Sequence, residues 1–261
     1  MKNKVSVLMT VYNSEEYVLD SIESILNQTY ENFEFIIIDD LSDDKSNLII
    51  ENLKDKRIKF FKPNKKLGRT KALNYGLLKC NSKFIAIQDS DDISQKDRLE
   101  NCMKIFDQNN EIGLISTNFN FINFSGKKEN QKNDLKKFRQ KLHSLKYINF
   151  IPHSSIIFRR DIFDENLFYD ESFLYAQDYH LILKFFKYSK IYLFNEELVS
   201  IRRHSKNMSN NKLYERIRIK ENLRLLTFSV KNFKLNFFEL INIGISIIKN
   251  ILKFSYFWIF K

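Results

Sequence analysis

Four short apolar runs, Val5–Met9, Phe33–Ile38, Ile58–Phe61 and Phe84–Ile87, alternate with segments of helical periodicity. Glu15–Leu26 puts Val18, Leu19, Ile22, Ile25 and Leu26 on one face, with Ser14 as its cap. A second helical pattern carries Leu48, Ile49 and Leu53, and a third spans Gly68–Leu78. Strand–helix–strand units at this spacing predict an α/β fold, a mostly parallel central sheet covered by helices on both faces. Ligands of such sheets bind beyond the carboxyl ends of the strands. Those ends deliver Thr10-Val11-Tyr12-Asn13, Asp39-Asp40 and Asp89-Ser90-Asp91-Asp92 to one rim. A helix over Lys96–Phe106 then packs back, and another strand begins at Gly113.

Three carboxylates within four positions repel one another unless a cation lies among them. A divalent metal bridging to a phosphorylated ligand is one solution, because hard cations prefer oxygen ligands. The other is a solvated loop in which Asp92 caps a helix starting near Ser94. No Gly-x-Gly-x-x-Gly follows the first strand and no Gly-Lys-Ser/Thr loop occurs, which disfavours a dinucleotide oxidoreductase and an ATP-hydrolysing phosphate loop. Bulky Tyr12 and Asn13 suit closure over a base or sugar. Residues 118–149 are polar, basic and weakly periodic, and read either as an insertion over the site or as exposed decoration.

With 261 residues the chain holds one large or two small domains, and its 25 Phe and 12 Tyr argue against extensive disorder. Cys80 and Cys102 lack metal-site spacing and read as core thiols in a reducing compartment. No export-type apolar run precedes Val5, and no stretch is long enough to span a bilayer, so a cytoplasmic location is expected. Charge is uneven: from Arg202 to Lys261 there are 13 Lys or Arg against three Glu, so nearly all of the net +11 lies there. These cations alternate with Phe237, Phe238, Leu240, Ile241, Ile245, Ile248 and Ile251. That pattern predicts two helices, the second from about Leu235 to Phe254, resting on anionic lipid with Tyr256 and Trp258 at the interface rather than on nucleic acid. The competing reading is a helix pair packed on the domain or in a homodimer seam.

Residues 4–208 resemble the family 2 glycosyltransferases, which have the GT-A fold. The resemblance is carried by Val5–Asn13, by Gln28-Thr29-Tyr30 with Phe33–Asp40, by Gly68–Gly76, by Asp89-Ser90-Asp91-Asp92 and by Arg98-Leu99. Further along it continues through Ile151–Arg160, Phe168–Glu171, Ala176-Gln177-Asp178 and Arg202-Arg203-His204 with Ser209. It implies a catalytic domain over 1–210, with a nucleotide-sugar half (1–115) and an acceptor half (116–210), followed by the basic helical tail 211–261. It also implies an inverting transfer of a sugar from a nucleoside-diphosphate sugar to a saccharide or lipid-linked glycan, in surface polysaccharide or lipopolysaccharide synthesis at the inner face of the cell membrane.

By the same resemblance Asp178 is the general base, a role compatible with capping the helix that follows. Asp39 is the nucleobase contact, and Thr10, Tyr12, Asn13, Arg69, Lys71, Asn74, Asp89 and Ser90 surround the donor. Asp91 and His204 hold Mn2+ or Mg2+, with Asp89 and Asp92 as competing ligands, and a surface histidine is the other reading of His204. His153 and Gln177 belong to the acceptor side, Gln177 standing where most relatives have Glu. Two rivals remain: a sugar nucleotidyltransferase, which usually carries a Gly- and Arg/Lys-rich loop absent after Met9, and a nucleotide-sugar binder that has lost catalysis.

Overall fold

β1 (Val5–Val11) lies at the centre of a sheet whose order is β3-β2-β1-β4-β7-β6-β8-β5. This computed structural model describes residues 3–129, 142–163, 169–205, 207 and 215–259, with 253–259 as backbone alone. Phe168, Ser209 and Leu213 lie outside the described residues, as do the side chains of Phe254, Tyr256 and Trp258. β1, β2 (Phe33–Asp39), β3 (Ile58–Phe61) and β4 (Phe84–Asp89) run parallel, as the alternation with helices predicts. β7 (Ile156–Arg159) then adds antiparallel to β4, and β6 (Ile112–Ile122) antiparallel to β7. β8 (Lys190–Arg202) runs parallel to β6, and β5 (Ile93–Ser94) closes that edge. The result is a Rossmann-like α/β unit with a mixed, largely parallel sheet, the GT-A architecture.

Side chains on a strand alternate between faces, and β1 shows the consequence. Val5, Val7, Met9 and Val11 join one core, covered by α1 (Val18–Leu26) and α4 (Arg98–Gln108). Leu8 joins the other, covered by α3 (Arg69–Lys79) and α5 (Gln177–Tyr188). Each fully buried aliphatic side chain contributes about 1.5–3 kcal/mol, so both faces are strongly held. α3 presses hard on β1: a Cβ at Gly76 would sit 2.3 Å from Leu8 Cδ1. Gly68, just before α3, has a φ of 79°, a left-handed conformation that costs glycine little.

Local differences from the sequence expectation have physical causes. α1 starts at Val18 with Tyr17 as its N-cap, so Ser14 does not cap it; the Ser14 carbonyl accepts from Tyr17 and Val18 N–H in the turn before the helix, while its hydroxyl faces Ser90. Asp92 caps no helix, because Ile93-Ser94 pairs with β8 and α4 starts only at Arg98. Within 118–149, polar Asn118 and Asn120 continue β6, their side-chain NH2 groups donating to Asn195 O and to Glu197 on β8. After α2 (Ser46–Glu51) and the helices above, the chain ends in α6 (Glu215–Asn232) and α7 (Phe237–Ile259). α6 buries Leu225 against Phe173, Tyr179 and Leu183 of the α5 region. A buried ion pair, Lys146 Nζ to Glu239 Oε1 at 2.7 Å, ties α7 to the body. Among the described residues no helix is long and apolar enough to cross a membrane.

Candidate active site

The register of three parallel strands builds the rim. Thr10 stands opposite both Ile38 and Asp89, and Val11 opposite Asp39, so the polar clusters emerge level with one another. Beyond them opens a cavity of ≈ 460 Å³ lined by Thr10, Tyr12, Asn13, Arg69, Ser90, Asp91 and His204, together with Asp40, Tyr17, Tyr175 and Asn207. Asn13 turns the chain with φ 51°, and its side-chain oxygen accepts from Asp43 N–H at 2.8 Å. Tyr12 is 42% exposed and carries Lys66 Nζ 3.4 Å from its ring centre, so ring and cation stand together at the mouth.

The carboxylates of the acidic loop are dealt out to different partners, which answers the repulsion between them. Asp89 meets Arg69 Nη2 at 2.7 Å, with His153 Nδ1 at 3.6 Å. Burial alone would push the Asp89 carboxyl up, but the Arg69 and His153 contacts hold it well below the usual range. Asp91 receives His204 Nε2 at 2.9 Å and Asn207 Nδ2 at 3.2 Å, and the His204 ring lies 4.6 Å from that of Tyr17. Asp92 is buried; Ser154 donates to one oxygen and Arg202 N–H to the other at 3.0 Å. Its burial and its two acidic neighbours push its pKa well up. Asp92 is therefore a buried joint between the acidic loop, the turn before β7 and the end of β8.

Protein cations share the task that the sequence assigned to a metal. Arg69 stands at one end of the loop, and buried Arg202 donates to Asp91 O at 2.9 Å and Asp20 at 3.2 Å. Arg98, fully buried, donates to Gln88, Ser94, Ile87 O and Ile156 O from beneath. Burial lowers its pKa to about 10, still far above neutrality, so it remains a cation.

Asp178 occupies the first turn of α5 and accepts from Tyr179 N–H at 2.7 Å. Burial pushes its carboxyl up, against the opposing pull of His153 and Arg69, while Asp89 adds to the rise. These interactions place Asp178 in the same electrostatic neighbourhood as the Arg69–Asp89 pair. His153 links the two sides of this neighbourhood: Arg69 Nη2 lies 3.3 Å from Nδ1, and Tyr169 Oη lies 2.8 Å from Nε2. Gln177 is 3% exposed, and its Oε1 has no hydrogen-bond partner among the described residues.

Eight of the fifteen residues singled out from sequence do not line the cavity: Asp89, Asp92, His153, Gln177 and Asp178, described above, and Lys71, Asn74 and Asp39. Lys71 is exposed on the outer face of α3. Asn74 spends its amide within the protein, on Tyr169 N and O and on Glu171. Asp39 is buried with its carboxylate bonded to Ser42, and Asp40 takes the place at the wall while accepting from Leu67 and Gly68 N–H. Sequence reasoning also missed Glu221. Buried on α6, it accepts the N–H groups of Leu174, Tyr175 and Ala176 at 2.6, 2.9 and 2.9 Å, just before Asp178. Its only sequence signal is an acid in the middle of a basic helix whose other acid, Glu215, sits in the first turn.

Among the described residues no cluster of three His, Cys, Asp or Glu groups forms a closed metal cage. Mg2+ sites in phosphate chemistry do not need one: one or two protein groups suffice, with phosphate oxygens and water completing the shell. Asp91 and His204, adjacent on the cavity wall, fit that kind of ion.

The profile described as Glycosyl transferase family 2 matches residues 6–167. An uncharacterised glycosyltransferase of Methanocaldococcus jannaschii is 37% identical over 189 residues, covering 68% of this chain and 63% of that protein. The chain thus spans less than two thirds of that relative's length. Another, from Rickettsia typhi, is 30% identical over 221 residues, 80% of this chain and 67% of that protein. Among solved structures, Staphylococcus aureus TarS 1-349 in complex with UDP-GlcNAc superimposes with a TM-score of 0.73 at 20% identity, over 96% of this chain and 73% of that one. The mannosyltransferase PcManGT from Pyrobaculum calidifontis, in complex with GDP-Man and Mn2+, gives 0.69 at 15% identity, over 97% and 74%. At these identities the two structures bear on the fold alone.

Proposed function

The chain belongs to glycosyl transferase family 2, and from that premise we propose that it transfers a sugar from a nucleoside-diphosphate sugar to an acceptor hydroxyl with inversion. The observation that carries this reading is the cavity at the strand ends, where Arg69, Ser90 and Asp91 meet, with Asp178 in the first turn of α5 near enough for Arg69 and Asp89 to act on its carboxyl. In the proposed step Asp178 takes the proton from the acceptor hydroxyl as its oxygen attacks the anomeric carbon. The bond from that carbon to the diphosphate oxygen breaks on the opposite face, and the leaving group keeps the electron pair. Arg69, at the cavity wall, meets the negative charge that develops there. Thr10, Tyr12, Asn13, Asp40 and Ser90 shape the donor's cavity, and Asp39 supports it from behind.

Asp91 and His204 would hold Mn2+ or Mg2+. Such an ion supplies Lewis-acid stabilisation of the departing diphosphate. The Pyrobaculum enzyme was solved with GDP-Man and Mn2+ and TarS with UDP-GlcNAc, so the shared fold accommodates a donor and an ion of the proposed class.

The acceptor in this reading is a saccharide or lipid-linked glycan of a surface polysaccharide or lipopolysaccharide, met at the inner face of the cell membrane. α7 supports it. Phe237 and Phe238 are 72% and 74% exposed, and Ile241, Ile245, Ile248 and Leu252 continue the apolar stripe. Of the three acids in the tail, Glu221 and Glu239 are buried, so the tail's surface is more basic than its composition. An apolar stripe with a basic surround is the physical profile of a helix lying on anionic lipid.

Asp178→Asn tests the chemistry. Turnover should fall about 10²–10⁴-fold, the usual worth of a positioned base, with the donor still bound. Transfer at the unmodified rate would remove Asp178 from the role.

A further inference from the structure

A second cavity, of ≈ 430 Å³, lies between the 147–149 segment and helices α5, α6 and α7. That volume falls in the range of about 300–1,000 Å³ typical of small-molecule sites. Its floor is apolar and buried: Leu226, and Tyr179, whose hydroxyl is already given to Leu145 O at 2.6 Å. Its walls are amides and one cation. Asn222 and Lys249 make no hydrogen bond or ion pair among the described residues. Asn149 gives its oxygen to Ile151 N–H and Asn250 gives its NH2 to Ser246 O; among the described residues the Asn149 NH2 and the Asn250 oxygen have no further partner. Donors and acceptors of both kinds, a cation and the Tyr147 ring thus face one space, the chemistry that binds hydroxyls and a phosphate.

Two further relationships narrow the ligand. Tyr179 follows Asp178, so the cavity floor and the proposed base share the first turn of α5. On α7, Lys249 and Asn250 sit between Ile248 and Ile251, which are 58% and 50% exposed. A ligand seated here has its polar head beside unpaired amides and its continuation beside an apolar stripe.

We propose that this cavity binds the phosphate-linked sugar head of a lipid-borne acceptor, with Lys249 on the phosphate and Asn149, Asn222 and Asn250 on the hydroxyls. The assignment deepens, and rests on, the reading of the protein as a glycosyltransferase working at a lipid surface. The hydrocarbon chain follows the exposed side of α7, which orients the head toward the turn that carries Asp178.

The test uses the full chain and flotation with phosphatidylcholine vesicles doped with an isoprenyl phosphate bearing one hexose. Matched vesicles carry phosphatidylglycerol at equal surface charge. The unmodified protein should bind the first at least about tenfold more tightly than the second. Lys249→Ala combined with Asn222→Ala should abolish that preference, whereas Lys231→Ala, which removes one exposed charge outside the cavity, should keep it. Equal binding to both vesicles, survival of the preference in the double variant, or equally tight binding of soluble hexose 1-phosphate would each overturn the proposal. Melting shifts with a nucleoside diphosphate and Mn2+, read on the same proteins, report the donor site separately. Their absence from every protein would sink the glycosyltransferase reading while leaving the vesicle result to stand or fall alone.

Discussion

Glu221 on α6 accepts the N–H of Ala176 at 2.9 Å, and Ala176 is the residue from which the helix carrying Asp178 departs. With Leu174 and Tyr175 N–H on the same carboxylate, three consecutive backbone donors converge on one buried acid. Part of what looks like a tail therefore holds in place the segment that leads into Asp178, the proposed base. Arg224, one turn on, adds bonds to Ser172 O and Oγ and stacks 4.1 Å over Phe173.

Glu221→Ala should leave three N–H groups without this partner, that of Ala176 buried, costing about 2–4 kcal/mol. It should lower the melting temperature and depress turnover together, because the segment before α5 loses its anchor. Glu221→Gln keeps one accepting oxygen and should recover part of both. Wild-type activity in Glu221→Ala would show that α5 is positioned without α6.

For Asp178 the sign of the pH dependence separates catalysis from stability. Its folded pKa is raised, so below the unfolded value of about 3.9 both states are protonated and the group is neutral to stability. As pH rises from there through the folded pKa, the buried charge progressively destabilises the fold. Asp178→Asn removes that penalty. The variant should melt no lower than the parent near neutrality, and relatively higher than at acid pH, while losing turnover. A lower melting temperature at neutral pH would mean the carboxylate is a structural anchor.

Arg69→Met should weaken nucleoside-diphosphate binding about 10–100-fold, or about 1.4–2.7 kcal/mol, by removing the cation at the cavity wall. It has a second consequence. Arg69 also holds the Asp178 carboxyl down, so the acid limb of the kcat/KM profile should move to higher pH in the variant. Titrating the nucleotide by calorimetry and recording the pH profile check the two effects independently. Loss of affinity with an unmoved acid limb would separate Arg69 from the base.

The central sheet was legible because apolar runs of strand length and helical patterns alternate without ambiguity, and because three strands end alike in polar clusters. Asp178 was legible as an acid opening an amphipathic helix. What escaped depends on helix rotation and on distant partners. Lys71 and Asn74 share α3 with Arg69, yet one faces outward and the other is turned onto Tyr169; composition does not report that angle. Ser14 faces Ser90, and Asp92 is closed by Ser154 and Arg202, because β7 and β8 return beside the acidic loop from far along the chain. Glu221 meets its donors across more than forty residues, a pairing that no local spacing encodes.

Removing His204 should affect the metal before it affects the fold. His204→Ala leaves Asp91 with Asn207 as its neighbour. The Mn2+ concentration giving a half-maximal nucleotide-dependent melting shift should rise about tenfold, or about 1.4 kcal/mol. The melting temperature without nucleotide should move little. Chelation of divalent ions from the unmodified protein should abolish the shift and its activity. An unchanged Mn2+ requirement in His204→Ala would leave the imidazole as a packing partner of Tyr17.

The exposed start of α7 gives the last prediction. Phe237 and Phe238 touch each other at 5.9 Å between ring centres and otherwise project into solvent, beside exposed Lys231 and Lys234. Inserting such side chains into a headgroup boundary gains roughly 1.5–3 kcal/mol each, and each nearby cation adds about 1 kcal/mol on an anionic leaflet. Phe237→Glu with Phe238→Glu removes the apolar gain and sets two carboxylates against the lipid charge. Flotation with phosphatidylglycerol vesicles should fall more than about tenfold, with the melting temperature unchanged because neither ring supports the core. If the parent protein ignores vesicles and the double variant instead turns a dimer into a monomer by sedimentation, the stripe is a seam between two copies. Unaltered flotation of the double variant would move the lipid contact elsewhere on the chain.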